Sequence, residues 1–166
     1  MAFTAKDVQT LREMTGVGIL DCKKALVETD GDMDKAVEWL REKGLAASAK
    51  KAGRIAAEGM AYAAVIDGVG VVVEVNAETD FVGKNEKFVD FVKGVAATIV
   101  ACKPADLDAL MECKYNGTDL TVTQQQQEMV LVIGENIKVR RCHRFADGVS
   151  VPYIHAGGKI GVLVNM

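Results

Sequence analysis

Gly59-Met60-Ala61-Tyr62-Ala63-Ala64-Val65-Ile66-Asp67-Gly68-Val69-Gly70-Val71-Val72-Val73-Glu74-Val75-Asn76 is where the chain changes its period. Met60 to Ile66 and Val71 to Asn76 are rich in β-branched and small apolar residues, and Asp67-Gly68 between them is a two-residue hairpin signature. A sheet begins here. The valines give way at Asn76 to a polar loop, Ala77-Glu78-Thr79-Asp80-Phe81-Val82-Gly83-Lys84-Asn85, with one large aromatic in the middle of it.

Upstream the period is helical. Thr4 and Asp7 form a capping-box variant ahead of Val8, Leu11 and Met14 or Thr15, and Gly16-Val17-Gly18 stops that helix. Ile19, Cys22, Ala25 and Leu26 mark a second helix ending near Thr29-Asp30-Gly31. Asp32 caps a third with Met33, Ala36, Val37 and Leu40, and Gly44 is its expected stop. Leu45 to Glu58, rich in Ala and Lys without Pro, reads as a helical connector.

Downstream of the loop, Phe88, Val89, Phe91, Val92, Val95, Ala96 and Ile99 share one broad helical face, wide enough to cover the hairpin. Pro104 to Met111 reads as a short helix and Tyr115 to Asp119 as a loop. Thr123 with Gln126 reads as a capping box opening a helix to about Ile133. Gly134-Glu135-Asn136 turns the chain into a strand from Ile137 to Phe145. Asp147-Gly148 is a further hairpin signal before Val151 to His155 and Ile160 to Val164. The Gly68 to Val73 run and the Gly158 to Asn165 run form a faint internal repeat, and Met166 falls where the second copy would continue into its own loop and helix. The fold class expected is α+β: a three-helix bundle, then an antiparallel sheet covered by helices, with a second core subdomain that is incomplete.

With 166 residues and 49% apolar composition the chain has enough material for a real core. Its formal charge of −3 arises from interleaved opposite charges, and aromatics make up only 5%. That disfavours a groove for nucleic acid and points to a protein or small-molecule partner. Cys22, Cys102, Cys113 and Cys142 are irregularly spaced without a C-x-x-C pair, so four free thiols are expected, with no metal or other cofactor. No stretch approaches the about 20 apolar residues that span a bilayer, and Met1 to Lys6 has no signal-peptide pattern, so a cytoplasmic location is expected.

No catalytic constellation emerges. Gly68-Val69-Gly70 lacks a third glycine and precedes a strand instead of opening a helix, which argues against dinucleotide binding. The chain has no phosphate-binding loop and no nucleophile elbow. His155 reads as a turn or interface residue, so the chain is expected not to be an enzyme. The Thr79 to Val82 loop has two readings from its residues alone. Thr79 or Asp80 could cap the next helix with Phe81 and Val82 folded back as an apolar staple, or Phe81 could be offered to another molecule.

Three motifs in order shift the balance toward the second. Asn76 to Asn85, Leu11 to Leu26 (Leu-Arg-Glu-Met-Thr-Gly-Val-Gly-Ile-Leu-Asp-Cys-Lys-Lys-Ala-Leu) and Ile133 to Arg141 (Ile-Gly-Glu-Asn-Ile-Lys-Val-Arg-Arg) together closely resemble the bacterial elongation factor Ts family. The resemblance extends to Tyr153 to Val162. It implies a ubiquitin-associated-like helical domain over 1–45, a connector over 46–58, a first α+β core subdomain over 59–140 and the start of a second over 141–166. Family members continue beyond this point with the rest of that subdomain, a helical protrusion and a C-terminal module, so a C-terminally truncated member is expected.

The resemblance further implies a guanine nucleotide exchange factor whose partner is elongation factor Tu, a GTPase holding GDP with Mg²⁺. Thr79, Asp80, Phe81 and Val82 would disturb that partner's Mg²⁺ and phosphate site. Arg12, Ile19, Leu20 and Lys23 match the N-terminal contact motif, where the family often has Met at the two apolar positions; bundle core is the alternative for Ile19. Ile133, Gly134 and His155 match core contact positions, with a helix C-cap the alternative for Gly134. Lys51 lies in the connector as a contact or a solvated charge. A competing reading is a protein-binding adaptor that uses the helical module without exchange activity.

Overall fold

A computed structural model describes residues 3–166; Met1 and Ala2, the first two residues of the expected helical domain, lie outside it. The chain runs α1 (Ala5–Thr15), α2 (Ile19–Glu28), α3 (Met33–Lys51), β1 (Glu58–Ile66), β2 (Val69–Ala77), α4 (Glu86–Cys102), α5 (Leu107–Glu112), α6 (Val122–Ile133), β3 (Lys138–Phe145), β4 (Ser150–His155) and β5 (Ile160–Asn165). The α+β class stands. No helix among the described residues is long and apolar enough to cross a membrane.

The first three helices bury Val8, Leu11, Cys22, Ala25, Leu26, Ala36 and Leu40 against one another, as their spacing requires. Thr4 and Asp7 close the capping box of α1, and Asp32 caps α3. Gly44 does not stop α3. A Cβ there would sit 3.1 Å from the Gln127 carbonyl oxygen, so the missing side chain lets α3 cross close to α6 and the helix continues to Lys51. The connector is therefore helical only in its first half; residues 52–57 form turns and irregular chain before β1.

The hairpin forms as its sequence dictates. Asp67 and Gly68 both take positive φ, and β1 pairs antiparallel with β2 from Glu58↔Ala77 to Ile66↔Val69. Val71, Val73 and Val75 point to one face and are buried under α4, whose Phe88, Phe91, Val92, Val95 and Ile99 fill the main core. β3 pairs with the other edge of β2, with a bulge opposite Glu74 and Val75 that leaves Arg140 as the extra residue. The strand runs unbroken through residues 140 and 141, where the expected subdomain boundary falls.

Three further local expectations shift. Asp147-Gly148 does not close a hairpin between β3 and β4. It carries the chain from the three-stranded sheet to a separate β4–β5 hairpin, which packs over the back of β1 and β2. The capping box of α6 is Thr121 with Gln124, two residues earlier than read, because Thr121 has the extended backbone of a cap; the Thr123 hydroxyl instead donates to the Met111 carbonyl. Cys102 and Cys113 are joined by a disulfide rather than free, since the Pro104 to Asp106 turn and α5 bring their Cα atoms to 6.4 Å. Cys22 and Cys142 remain free thiols, and burial pushes both above the ordinary thiol range.

Candidate functional site

The loop after β2 is fixed at both ends before it offers anything outward. Ala77 is buried as the last residue of the strand, and Val82 is buried in the main core at the start of a short 3₁₀ turn, Val82–Lys84. Asn85 caps α4, its side-chain oxygen accepting from the backbone N–H groups of Lys87 and Phe88. The cap that one reading of the loop gave to Thr79 or Asp80 is thus supplied by Asn85. Between the fixed ends, Phe81 is 81% exposed, so the apolar staple is made by Val82 alone.

A second set of bonds holds the loop from the side. The Glu135 carboxylate accepts from the backbone N–H groups of Glu78 and Thr79, both at 3.0 Å, and from the Thr79 hydroxyl at 2.6 Å. The Glu78 carboxylate reciprocates, accepting from the Asn136 N–H at 2.7 Å and lying 3.5 Å from the Arg54 guanidinium. The Asn136 side-chain amide donates to the Arg54 carbonyl at 2.8 Å. Lys51 donates to the Gly134 carbonyl at 2.8 Å, so this half-buried lysine caps the C-terminal end of α6 and is committed within the chain. Gly134 itself has φ 83°, a left-handed cap conformation that a Cβ would strain.

Three distant segments, 51–54, 78–79 and 134–136, are closed in this way into one polar knot. Charge-assisted bonds to backbone N–H groups are the stronger kind, and a reciprocal set restricts the loop more than any single bond would. Glu74 extends the order up the strand. Burial alone would raise its carboxyl, but hydrogen bonds from Arg141, Asn76 and Arg140 outweigh that and hold it below the usual carboxylate range. Asn76 also donates to the Glu58 carbonyl, tying the end of β2 to the start of β1.

Asp80 is exposed beside Phe81. Lys159 sits 2.7 Å from Glu58, and its ammonium is raised above the ordinary lysine range by that hydrogen bond and charge, with the Asp80 carboxylate adding to the effect. The turn Ala156–Gly158 lies against the Val82–Lys84 turn, which brings exposed His155 to the same end of the molecule. The Nδ1 of His155 is 3.0 Å from the Tyr153 hydroxyl. Ile133 is half-buried against the core, and Gly134 is exposed next to it.

The helical domain supplies a second apolar patch. Ile19 and Leu20, at the start of α2, are 48% and 73% exposed, so neither belongs to the buried centre of the bundle. Arg12 and Lys23 are exposed as well. Lys87 in the first turn of α4 donates to the Gly16 carbonyl at 3.0 Å, fastening the α1–α2 junction close to the chain leaving the Phe81 loop. The sequence reading found what the loop exposes but missed Glu135, Glu78, Asn136 and Arg54, which hold it; Glu135-Asn136 was legible only as a turn.

Comparison with known proteins gives the family. The family model described as "Elongation factor TS" matches residues 78–166, and that described as "Elongation factor Ts, mitochondrial, N-terminal" matches residues 1–53. Curated proteins named "Elongation factor Ts" align over nearly the whole chain. That of Trichlorobacter lovleyi is 56% identical over 99% of this chain and 55% of its own length. That of Syntrophotalea carbinolica is 52% identical over 100% and 55%, and that of Clostridium novyi 50% over 98% and 55%. The chain spans about half the length of the curated relatives it matches.

Proposed function

The chain belongs to the elongation factor Ts family, and on that premise we propose that it is a cytoplasmic guanine nucleotide exchange factor of translation elongation, binding elongation factor Tu loaded with GDP and promoting GDP release. The observation that carries this reading is Phe81, a large aromatic 81% exposed on a loop pinned at both ends and from the side. An apolar side chain left in water on a rigid support gains most when a partner covers it, and loses little conformational freedom in doing so.

In the proposed encounter Phe81 wedges into the packing of the GTPase, which responds by shifting between discrete arrangements rather than yielding smoothly. Asp80 brings a carboxylate toward the partner's Mg²⁺ and its waters, whose contacts with oxygen ligands it disturbs. Thr79 and Val82 hold the loop, and Lys51 acts on the same support. Arg12, Ile19, Leu20 and Lys23 form a second contact, and Ile133, Gly134 and His155 border the first. No covalent step is involved, and this chain needs no cofactor of its own. Because the factor binds the nucleotide-free state more tightly, linkage requires that it weaken nucleotide by the same factor by which nucleotide weakens it.

The test is release of a fluorescent GDP analogue from elongation factor Tu, followed with and without excess chain. Faster release is expected, and an unchanged rate contradicts the proposal. Binding without faster release selects the adaptor reading, which the exposed Ile19 and Leu20 favour.

A further inference from the structure

Ile55 is 86% exposed, the only large apolar side chain among the described residues more exposed than Phe81. It lies in the irregular stretch 52–57 between α3 and β1, among Ala52, Gly53, Ala56 and Ala57. Small neighbours give it nothing to pack on. The stretch is nonetheless held in place. The N–H of Arg54 donates to the Lys51 carbonyl at 2.9 Å, its carbonyl accepts from Asn136, and its guanidinium lies 3.5 Å from Glu78.

The placement relative to Phe81 follows from the strand register. Glu58 pairs with Ala77 at the open end of the β1–β2 ladder. Ile55 precedes Glu58 by three residues and Phe81 follows Ala77 by four, so both leave the sheet from the same end. The polar knot then binds the residue next to Ile55 to the segment three residues before Phe81. Two highly exposed apolar side chains are thereby carried on two segments joined by one polar knot.

We infer that Ile55 is a second apolar anchor for the protein that Phe81 enters, an inference that rests on the exchange-factor reading given above. A β-branched side chain is stiff at χ1 and gives up little freedom on being covered, which suits it to such a contact. The partner surface that fits has two apolar recesses, one for the aromatic and one for the aliphatic group, separated by a polar strip facing Glu78 and Arg54. Contacts of this kind account for most of the free energy of an interface, whereas the charged rim mainly sets approach and register.

The experiment measures binding of nucleotide-free elongation factor Tu by calorimetry to the wild-type chain, Ile55→Ala and Ile55→Glu, with the melting temperature of each. Burial of this side chain predicts about tenfold weaker binding for Ile55→Ala and a larger loss for Ile55→Glu, with melting unchanged. Wild-type affinity in Ile55→Glu overturns the assignment of Ile55 alone. A fall in melting temperature that accompanies the loss of binding also overturns it, by making the residue structural. A wild-type chain that does not bind elongation factor Tu overturns this inference together with the reading beneath it.

Discussion

Phe81 and Phe88 are the same side chain seven residues apart, and the fold treats them in opposite ways. Phe88 is fully buried on the inner face of α4, whereas Phe81 is 81% exposed on the loop that leads into that helix. Composition cannot separate them. The difference lies in what holds each segment: apolar packing places Phe88, while Glu135, Glu78, Asn136, Arg54 and Asn85 hold the chain around Phe81 with polar bonds and leave the aromatic unused by the fold.

The contrast breaks most severely at Phe88. Phe88→Ala is expected to cost about 3–5 kcal/mol in urea unfolding, through lost transfer free energy and the cavity left among Phe91, Val92 and the sheet. A cost under 1 kcal/mol would mean that α4 does not cover the hairpin as described. Glu135→Ala removes the acceptor for two backbone N–H groups and one hydroxyl, and is expected to cost about 1–2 kcal/mol. It should also raise the hydrogen-exchange rates of the Glu78 and Thr79 amides; unchanged rates would show that the loop holds itself.

Glu74→Gln sharpens the comparison through pH. The Glu74 carboxyl is depressed in the folded state, so its stabilisation is present above the ordinary value of 4.5 and is lost as pH falls through the lower folded value. The variant should be less stable than wild type by about 1 kcal/mol at pH 7, and the gap should narrow below pH 4.5. A gap that stays constant from pH 7 to pH 3 would contradict the pairing with Arg140 and Arg141. Phe81→Ala should have the smallest effect on folding, within about 0.5 kcal/mol of wild type, because the side chain touches little of its own protein.

Local chemistry made much of this legible. Asp67-Gly68 between two β-rich runs specified the first hairpin, and the width of the apolar face specified α4 as its cover. Apart from the start of α6, displaced by two residues for a local backbone reason, the misread elements depend on partners elsewhere in the chain. Gly44 reads as a stop until α6 is seen to approach it, and Asp147-Gly148 reads as a hairpin turn until β4 is seen paired to β5 in a separate sheet. Likewise, nothing in the spacing of Cys102 and Cys113 reveals that a turn and a short helix return one to the other. At the site, the quoted motifs supplied Phe81 and Asp80, but the inward role of Lys51 and the reciprocal bonds of Glu78 and Glu135 join residues more than fifty positions apart.

The central claim is that Phe81 is held for a partner and not for the fold. Melting temperature and the rate of fluorescent GDP release from elongation factor Tu, measured on the same Phe81→Ala preparation, test it most directly. The account predicts an unchanged melting temperature with release slowed toward the rate without factor. An undiminished release rate, or a fall in melting temperature like that of Phe88→Ala, would contradict it.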